Sequence, residues 1–304
     1  MARNFAIYDV FTEKALSGNG LAVVFDSEGL DTAQMLAIAR EFNQSETVFV
    51  AAAAHAAHSA SLRIFTPNQE LPFAGHPTVG TAIAITERRF GDSDDIDAVV
   101  VLEEKIGPVR CGAVRKPSGW FAEFDVPKLP VQIPLEIDTA LLAAALDLDP
   151  QDIGFENHVP SLWSAGVAYC CVPVRDLDAA ARASPLAELK QVLPKDANGR
   201  TACPYVYCRE TQNHEASFHA RMFAPWIGIP EDPATGSAAA AFIGAVHHFD
   251  QPHGTSWGGL IEQGVEMGRR SLIALELELG GDGALTSARI GGHAVKTAEG
   301  LLLA

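Results

Sequence analysis

Apolar and polar side chains alternate, or β-branched and aromatic ones run together, at NFAIYDVF, LAVVF, ETVFVA, SLRIF, AVVVLEE, VRCGAV and WFAEFDV. Gly, Asn, Asp and Pro separate these runs, so each predicts a strand and the first half reads as strand-rich. Apolar positions three and four apart predict helices at TAQMLAIAREF and PTVGTAIAITERRF. Residues 116–134 carry four prolines and read as a linker. The same grammar then restarts, with helices at DTALLAAALD and SPLAELKQVL and strands at PYVYCRE and SFHARMF. A helix at PATGSAAAAFIGAVHHF and strands at LIEQGVEM, LIALELEL, SARIGGHAV and GLLLA follow, so the pattern predicts two α+β domains of similar plan.

Aligning GHPTVGTAIA, from Gly75, with EDPATGSAAA, from Glu231, sharpens the comparison. His76 then faces Asp232, Pro77 faces Pro233, Gly80 faces Gly236 and Thr81 faces Ser237, which reads as an internal repeat of two helix starts. A residue before proline is pushed out of the helical region and proline suits the first helical position, so His76 and Asp232 are expected at caps. Small residues around Gly80 and Gly236 leave backbone N–H groups approachable, and a helix N-terminus carries about half a positive charge, which suits a carboxylate ligand. The purely structural alternative is that HP and DP only stop strands and start helices. Asp is among the best caps and His a poor one, so His76 points more to function than Asp232 does. Thr235 and Ser237 read either as small residues for close packing or as site residues, and Ser237 is the stronger candidate because its hydroxyl follows Gly236.

Glu46 stands at the entrance of the apolar strand ETVFVA. It is either a solvated strand end or a buried base, whose desolvation would bring it toward the range where one group both takes and returns a proton. His55 and His58 share the spacing of helix-borne metal ligands, but their alanine-rich surroundings lack HExxH and predict an exposed loop. The charge run from Asp92 to Asp97 reads as a solvated turn, and His247, His248 and His253 as decoration of a helix end. No GxGxxG, P-loop, GxSxG or kinase signature occurs.

Composition narrows the function classes further. Among 304 residues, 48% are hydrophobic and 20% charged, which is the make-up of a folded globular protein. The net charge of −16 repels phosphate backbones and anionic lipid, so neither nucleic acid nor membrane is an expected partner. No apolar run is long enough for a membrane span and the N-terminal stretch lacks signal-peptide features, which predicts a cytoplasmic protein. The five cysteines are odd in number and without CxxC or zinc-finger spacing, so buried reduced thiols are expected.

NQSET (43–47), FTPNQELPFAGHPTVGTA (65–82), EDPATGSAAAA (231–241) and EQGVEMGRRS (262–271) together resemble the phenazine-biosynthesis isomerase family, PhzF-like proteins. The matches come in order and span nearly the whole chain. The resemblance implies an α+β, diaminopimelate epimerase-like fold: two pseudo-symmetric domains, each a sheet wrapped around a central helix, with the active site in the cleft between them. It sets the domains at 1–124, joined by a C-terminal strand at about 292–304, and at 125–291. It implies an isomerase that moves a proton along a small carboxylated substrate of the trans-2,3-dihydro-3-hydroxyanthranilate type, without metal, flavin or nicotinamide, and a homodimer.

Carried over by motif, Glu46 matches the general acid/base, and His76, Asp232 and Ser237 match residues that hold or polarise the substrate. Gly75 and Gly236 match positions whose N–H groups receive the carboxylate, and Thr235 is grouped with them as substrate-binding. The family often reads GNP and MGRP where this chain has Gly20 after Asn19 and Arg270 after Arg269. Racemases of the same fold use a cysteine in each helix-start motif. Neither motif here contains cysteine, so a one-base shift through Glu46 fits better. The alternatives are an amino-acid or hydroxy-acid epimerase and a non-catalytic small-carboxylate-binding protein on the same scaffold.

Overall fold

The computed structural model describes residues 2–91, 93 and 96–304. The chain folds into two compact units, Met1–Asp125 with Gly291–Ala304, and Val126–Ile290. The first contains strands β1 (Arg3–Val10), β2 (Asn19–Val24), β3 (Glu46–Ala51), β4 (Ala60–Phe65), β5 (Glu70–Leu71), β6 (Asp97–Glu104), β7 (Gly107–Lys116) and β8 (Gly119–Asp125), with helices α1 (Thr32–Phe42) and α2 (Gly75–Phe90). The second contains β9 (Val131–Ile133), β10 (Ser161–Ser164), β11 (Ala168–Pro173), β12 (Cys203–Cys208), β13 (Phe218–Ala224), β14 (Ile229–Asp232), β15 (Ser256–Gln263) and β16 (Ser271–Leu279). Its helices are α3 (Thr139–Ala145), α4 (Leu177–Arg182), α5 (Leu189–Val192) and α6 (Gly236–Asp250), and the long strand β17 (Leu285–Leu302) runs through the boundary at Gly291.

The two units repeat one plan. In the first, β1–β2 is antiparallel, β2–β3 parallel, β3–β4 antiparallel, β4–β6 parallel and β6–β7 antiparallel. In the second, β10–β11, β11–β12, β12–β13, β13–β15 and β15–β16 follow the same sequence of directions. Each parallel step into β6 or β15 is made by the long helix between them, α2 or α6, as a parallel crossover requires. The repeat thus extends to the whole motif, but in a register other than the one read from GHPTVGTAIA and EDPATGSAAA: the helices start at Gly75 and Gly236, so Gly75 corresponds to Gly236 and His76 to Ser237 rather than to Asp232.

In the first unit β17 pairs with both β1 and β8, so the sheet closes on itself around α2, which packs on β1, β2, β3, β6, β7 and β8. A helix enclosed this way must be apolar or small all round. Every residue from Gly75 to Ala84 is buried, and a Cβ on Gly80 would come 2.5 Å from Leu21, so the glycine serves the close approach of helix and sheet. In the second unit α6 packs on β9, β10, β11 and β16, with Ala238 to Val246 buried. Tyr207 and Phe218 meet Phe242 edge to face, with ring centroids 4.6 and 5.0 Å away.

Several expectations are corrected. The boundary between the two units does fall within residues 116–134, at Asp125 and Val126, but the stretch is no irregular linker: it holds the end of β7, all of β8 and β9, with Trp120, Ala122 and Phe124 in the core. The prolines misled because they fall at turns and strand ends. SPLAELKQVL yields only the single turn of α5, and SARIGGHAV and GLLLA are parts of one strand. Asp92, Asp94 and Asp95 of the charge run lie outside the described residues, and Asp97 opens β6. Among the described residues no helix is long and apolar enough to cross a membrane.

Candidate functional site

Neither His76 nor Asp232 is a cap. Ala74, with extended backbone, is the N-cap of α2, so His76 is the second helical residue, whereas Asp232 ends β14 and Thr235 is the N-cap of α6. Both helices are entered the same way, by a strand end, a bend and two residues: Leu71, Pro72, Phe73 and Ala74 precede Gly75 as Asp232, Pro233, Ala234 and Thr235 precede Gly236, so His76 follows its N-cap whereas Asp232 comes three residues before its own. The two starts share a more telling feature. Helices α1, α3 and α4 begin with Asp31, Asp138 and Asp176 accepting from their own first-turn N–H groups, but of the longer helices, α2 and α6 have no side-chain cap, a lack they share with the single turn of α5. Their first-turn donors, at Gly75 and Gly236, are those suited to an external anion.

In the first unit Glu46 opens β3, opposite Leu21 of β2, and its carboxylate reaches the start of α2. His76 Nε2 lies 3.2 Å from Glu46 Oε2, close enough to exchange a proton but without the alignment of a hydrogen bond. On the other side of the ring, Nδ1 is 3.4 Å from the amide nitrogen of the buried Asn19. Burial pushes His76 down to about 3, against a hydrogen bond to the Gly20 backbone, so the imidazole is neutral at ordinary pH.

In the second unit Asp232 is buried, and its Oδ2 accepts from the Thr235 hydroxyl at 2.6 Å. The fully buried Gln263 clamps this turn. Its Nε2 donates to the Asp232 carbonyl at 2.7 Å and to Thr235 Oγ1 at 3.0 Å, while its Oε1 accepts from the Thr235 amide at 3.3 Å. Ser271 adds a bond from its hydroxyl to the Pro233 carbonyl at 2.7 Å. Gly264, at φ +74°, lets the chain turn under Pro233, where a Cβ would come 2.7 Å from the proline carbonyl.

The segment is also tied from below. His219 donates to Glu262 and Glu266, both at 2.9 Å. Burial alone would lower its pKa, but the two carboxylates raise it to about 9. Ser237, the second residue of α6, pairs its hydroxyl with that of Tyr169 at 2.7 Å.

Asn19, Tyr169 and Gln263 were not singled out from sequence. Gln263 lies inside the EQGVEMGRRS motif and Asn19 inside GNG, which were usable signals. Tyr169 lies in AYCCVP, indistinguishable from a core strand. His58 binds Glu103 at 2.8 Å in a loop beside His55, and His247 donates to the Gly283 carbonyl at 2.8 Å at the end of α6. Burial raises the thiols of Cys170, Cys203 and Cys208 to about 12. Among the described residues no three His, Cys, Asp or Glu side chains gather as a metal ion would need.

The phenazine biosynthesis-like (PhzC-PhzF) family model matches residues 8–300. An uncharacterized isomerase of Mesorhizobium japonicum is 55% identical over 301 residues, covering 99% of this chain and 98% of that one. The trans-2,3-dihydro-3-hydroxyanthranilate isomerase of Pseudomonas fluorescens is 33% identical over 99% of each chain. The crystal structure of a PhzF-family phenazine biosynthesis protein from Bacillus anthracis superposes with a TM-score of 0.88 at 26% identity, covering 100% of both chains. A family model spanning almost the full length, relatives named isomerases and a shared fold agree: the chain belongs to the phenazine biosynthesis-like (PhzC-PhzF) family of isomerases.

Proposed function

We propose that the protein is a cofactor-independent isomerase that shifts a proton on a small carboxylated substrate of the trans-2,3-dihydro-3-hydroxyanthranilate type. The observation that carries this reading is the contact of Glu46 with a neutral His76 beside the uncapped start of α2. A carboxylate there removes a proton from one carbon and, as the acid so formed, returns it to another on the same face of the substrate. His76, held neutral by burial, donates or accepts a hydrogen bond without itself being charged.

The N–H group of Gly75 receives the substrate carboxylate, and, as the family resemblance implies, Thr235 and Gly236 are further substrate-binding residues and Asp232 and Ser237 further catalytic ones. The two compact units are then the two epimerase-like domains, in a cytoplasmic homodimer. The reading is tested by supplying trans-2,3-dihydro-3-hydroxyanthranilate and following loss of the diene absorbance. Turnover supports it. No change in this substrate, together with proton exchange in some other small carboxylate, would keep the reaction class and replace the substrate.

A further inference from the structure

Glu104 ends β6 with its carboxyl buried against the first turn of α2 and only 7% exposed. Its Oε1 lies 2.8 Å from the Thr78 hydroxyl oxygen, which lies 2.8 Å from the Ala74 carbonyl as well. A threonine hydroxyl has one hydrogen, and a carbonyl only accepts. If Thr78 donates to Ala74, the second contact needs a proton from Glu104. The other carboxyl oxygen, Oε2, is buried with no hydrogen-bond partner among the described residues, where a negative charge would be costly.

Both observations are met by a neutral acid: Glu104 donates to Thr78, and Thr78 donates to Ala74. The Ala74 carbonyl then accepts from both the Thr78 amide, at 3.2 Å, and the Thr78 hydroxyl. That carbonyl belongs to the peptide whose N–H is Gly75. Hydrogen bonds in series polarise one another, so a carbonyl that accepts two makes its own peptide N–H a stronger donor.

We propose that Glu104 is a positioning residue, acting as the neutral acid through Thr78 to polarise the Ala74–Gly75 peptide that receives the substrate carboxylate. This rests on the reading of Gly75 as an anion donor given above. Burial raises Glu104 to about 8, against the hydrogen bond with Thr78. The groups facing it are Thr78 from α2 and, from β7, the Cys111 thiol, which burial holds neutral. On its own strand Glu103 is engaged by Ala54, His55 and His58, and Lys105, just past the strand end, by Glu70. Ionisation of Glu104 therefore breaks the chain of donors and sets a negative charge beside the anion site.

The test is titration calorimetry with 3-hydroxyanthranilate, an aromatic carboxylate with no proton to shift, from pH 6 to 9.5. Wild type should lose about tenfold in affinity between pH 7 and 9, as the competent fraction falls. Glu104→Gln, whose amide donates to Thr78 at every pH, should show no such fall, and Thr78→Val should bind more weakly with no such fall. A tenfold fall retained in Glu104→Gln, or wild-type binding equal at pH 7 and 9, would overturn the role of Glu104 alone. Absence of binding by wild type at every pH would instead overturn the anion-site reading beneath it.

Discussion

His76 Nε2 and Glu46 Oε2 stand 3.2 Å apart, one on the second residue of a buried helix and the other at the mouth of a strand. The imidazole is kept neutral by burial, so the contact joins the Glu46 carboxyl to a ring that adds no charge.

This has a consequence for acid stability. In the unfolded chain His76 takes up a proton below about 6.5, but in the folded protein only near 3. Between those values the unfolded chain binds the extra proton, so His76 makes stability fall as pH drops through that window. His76→Gln should lose less melting temperature between pH 7 and 4.5 than wild type does. An equal loss in both proteins would contradict the burial of a neutral ring.

Ser237 and Tyr169 share a hydroxyl contact of 2.7 Å, so Tyr169 fixes the direction of the Ser237 hydroxyl. Tyr169→Phe should lower kcat by about tenfold, the worth of one oriented hydrogen bond, with a smaller change in KM. Ser237→Ala should cost more. A Tyr169→Phe enzyme with unaltered kcat would remove Tyr169 from the site.

The clamp on the Asp232 turn should be felt in folding. Gln263→Leu leaves the Asp232 carbonyl and the Thr235 amide without Gln263, at a cost of about 1–3 kcal/mol for each buried group left unsatisfied. Thr235→Ser keeps the hydroxyl that bonds Asp232 and should be much milder than Thr235→Val. Denaturant melts of the three variants check the order, which reverses if packing of the threonine methyl is what matters.

His219 works in the opposite direction to His76. Its folded pKa, about 9, is raised above its unfolded value, so its contribution is fully present below about pH 6.5 and is lost as pH rises through about 9. His219→Gln should be less stable than wild type at pH 6.5, and the difference should narrow by pH 9.5. A constant difference would show that His219 acts by shape rather than charge.

Legibility in the sequence followed how local each cause is. TAQMLAIAREF becomes α1 over those same residues because its period and the Asp31–Gln34 capping box are both local. The motif residues Glu46 and His76 were visible because an acid and a histidine are unusual in apolar runs. Tyr169 and Gln263 were not, since their partners lie 68 and 28 residues away and only the folded sheet brings them together. The stretch 116–134 misread for a related reason: proline marks a turn locally, but the inward Trp120, Ala122 and Phe124 are explained only by α2 beneath them.

The central claim is that Glu46 carries the proton. Incubating wild type and Glu46→Gln with trans-2,3-dihydro-3-hydroxyanthranilate in D₂O, and following carbon-bound deuterium by NMR, tests it most directly. The account predicts isomerisation with deuterium uptake by wild type, and a folded Glu46→Gln protein slower by about 10²–10⁴-fold or more. Isomerisation at the wild-type rate in Glu46→Gln would contradict it.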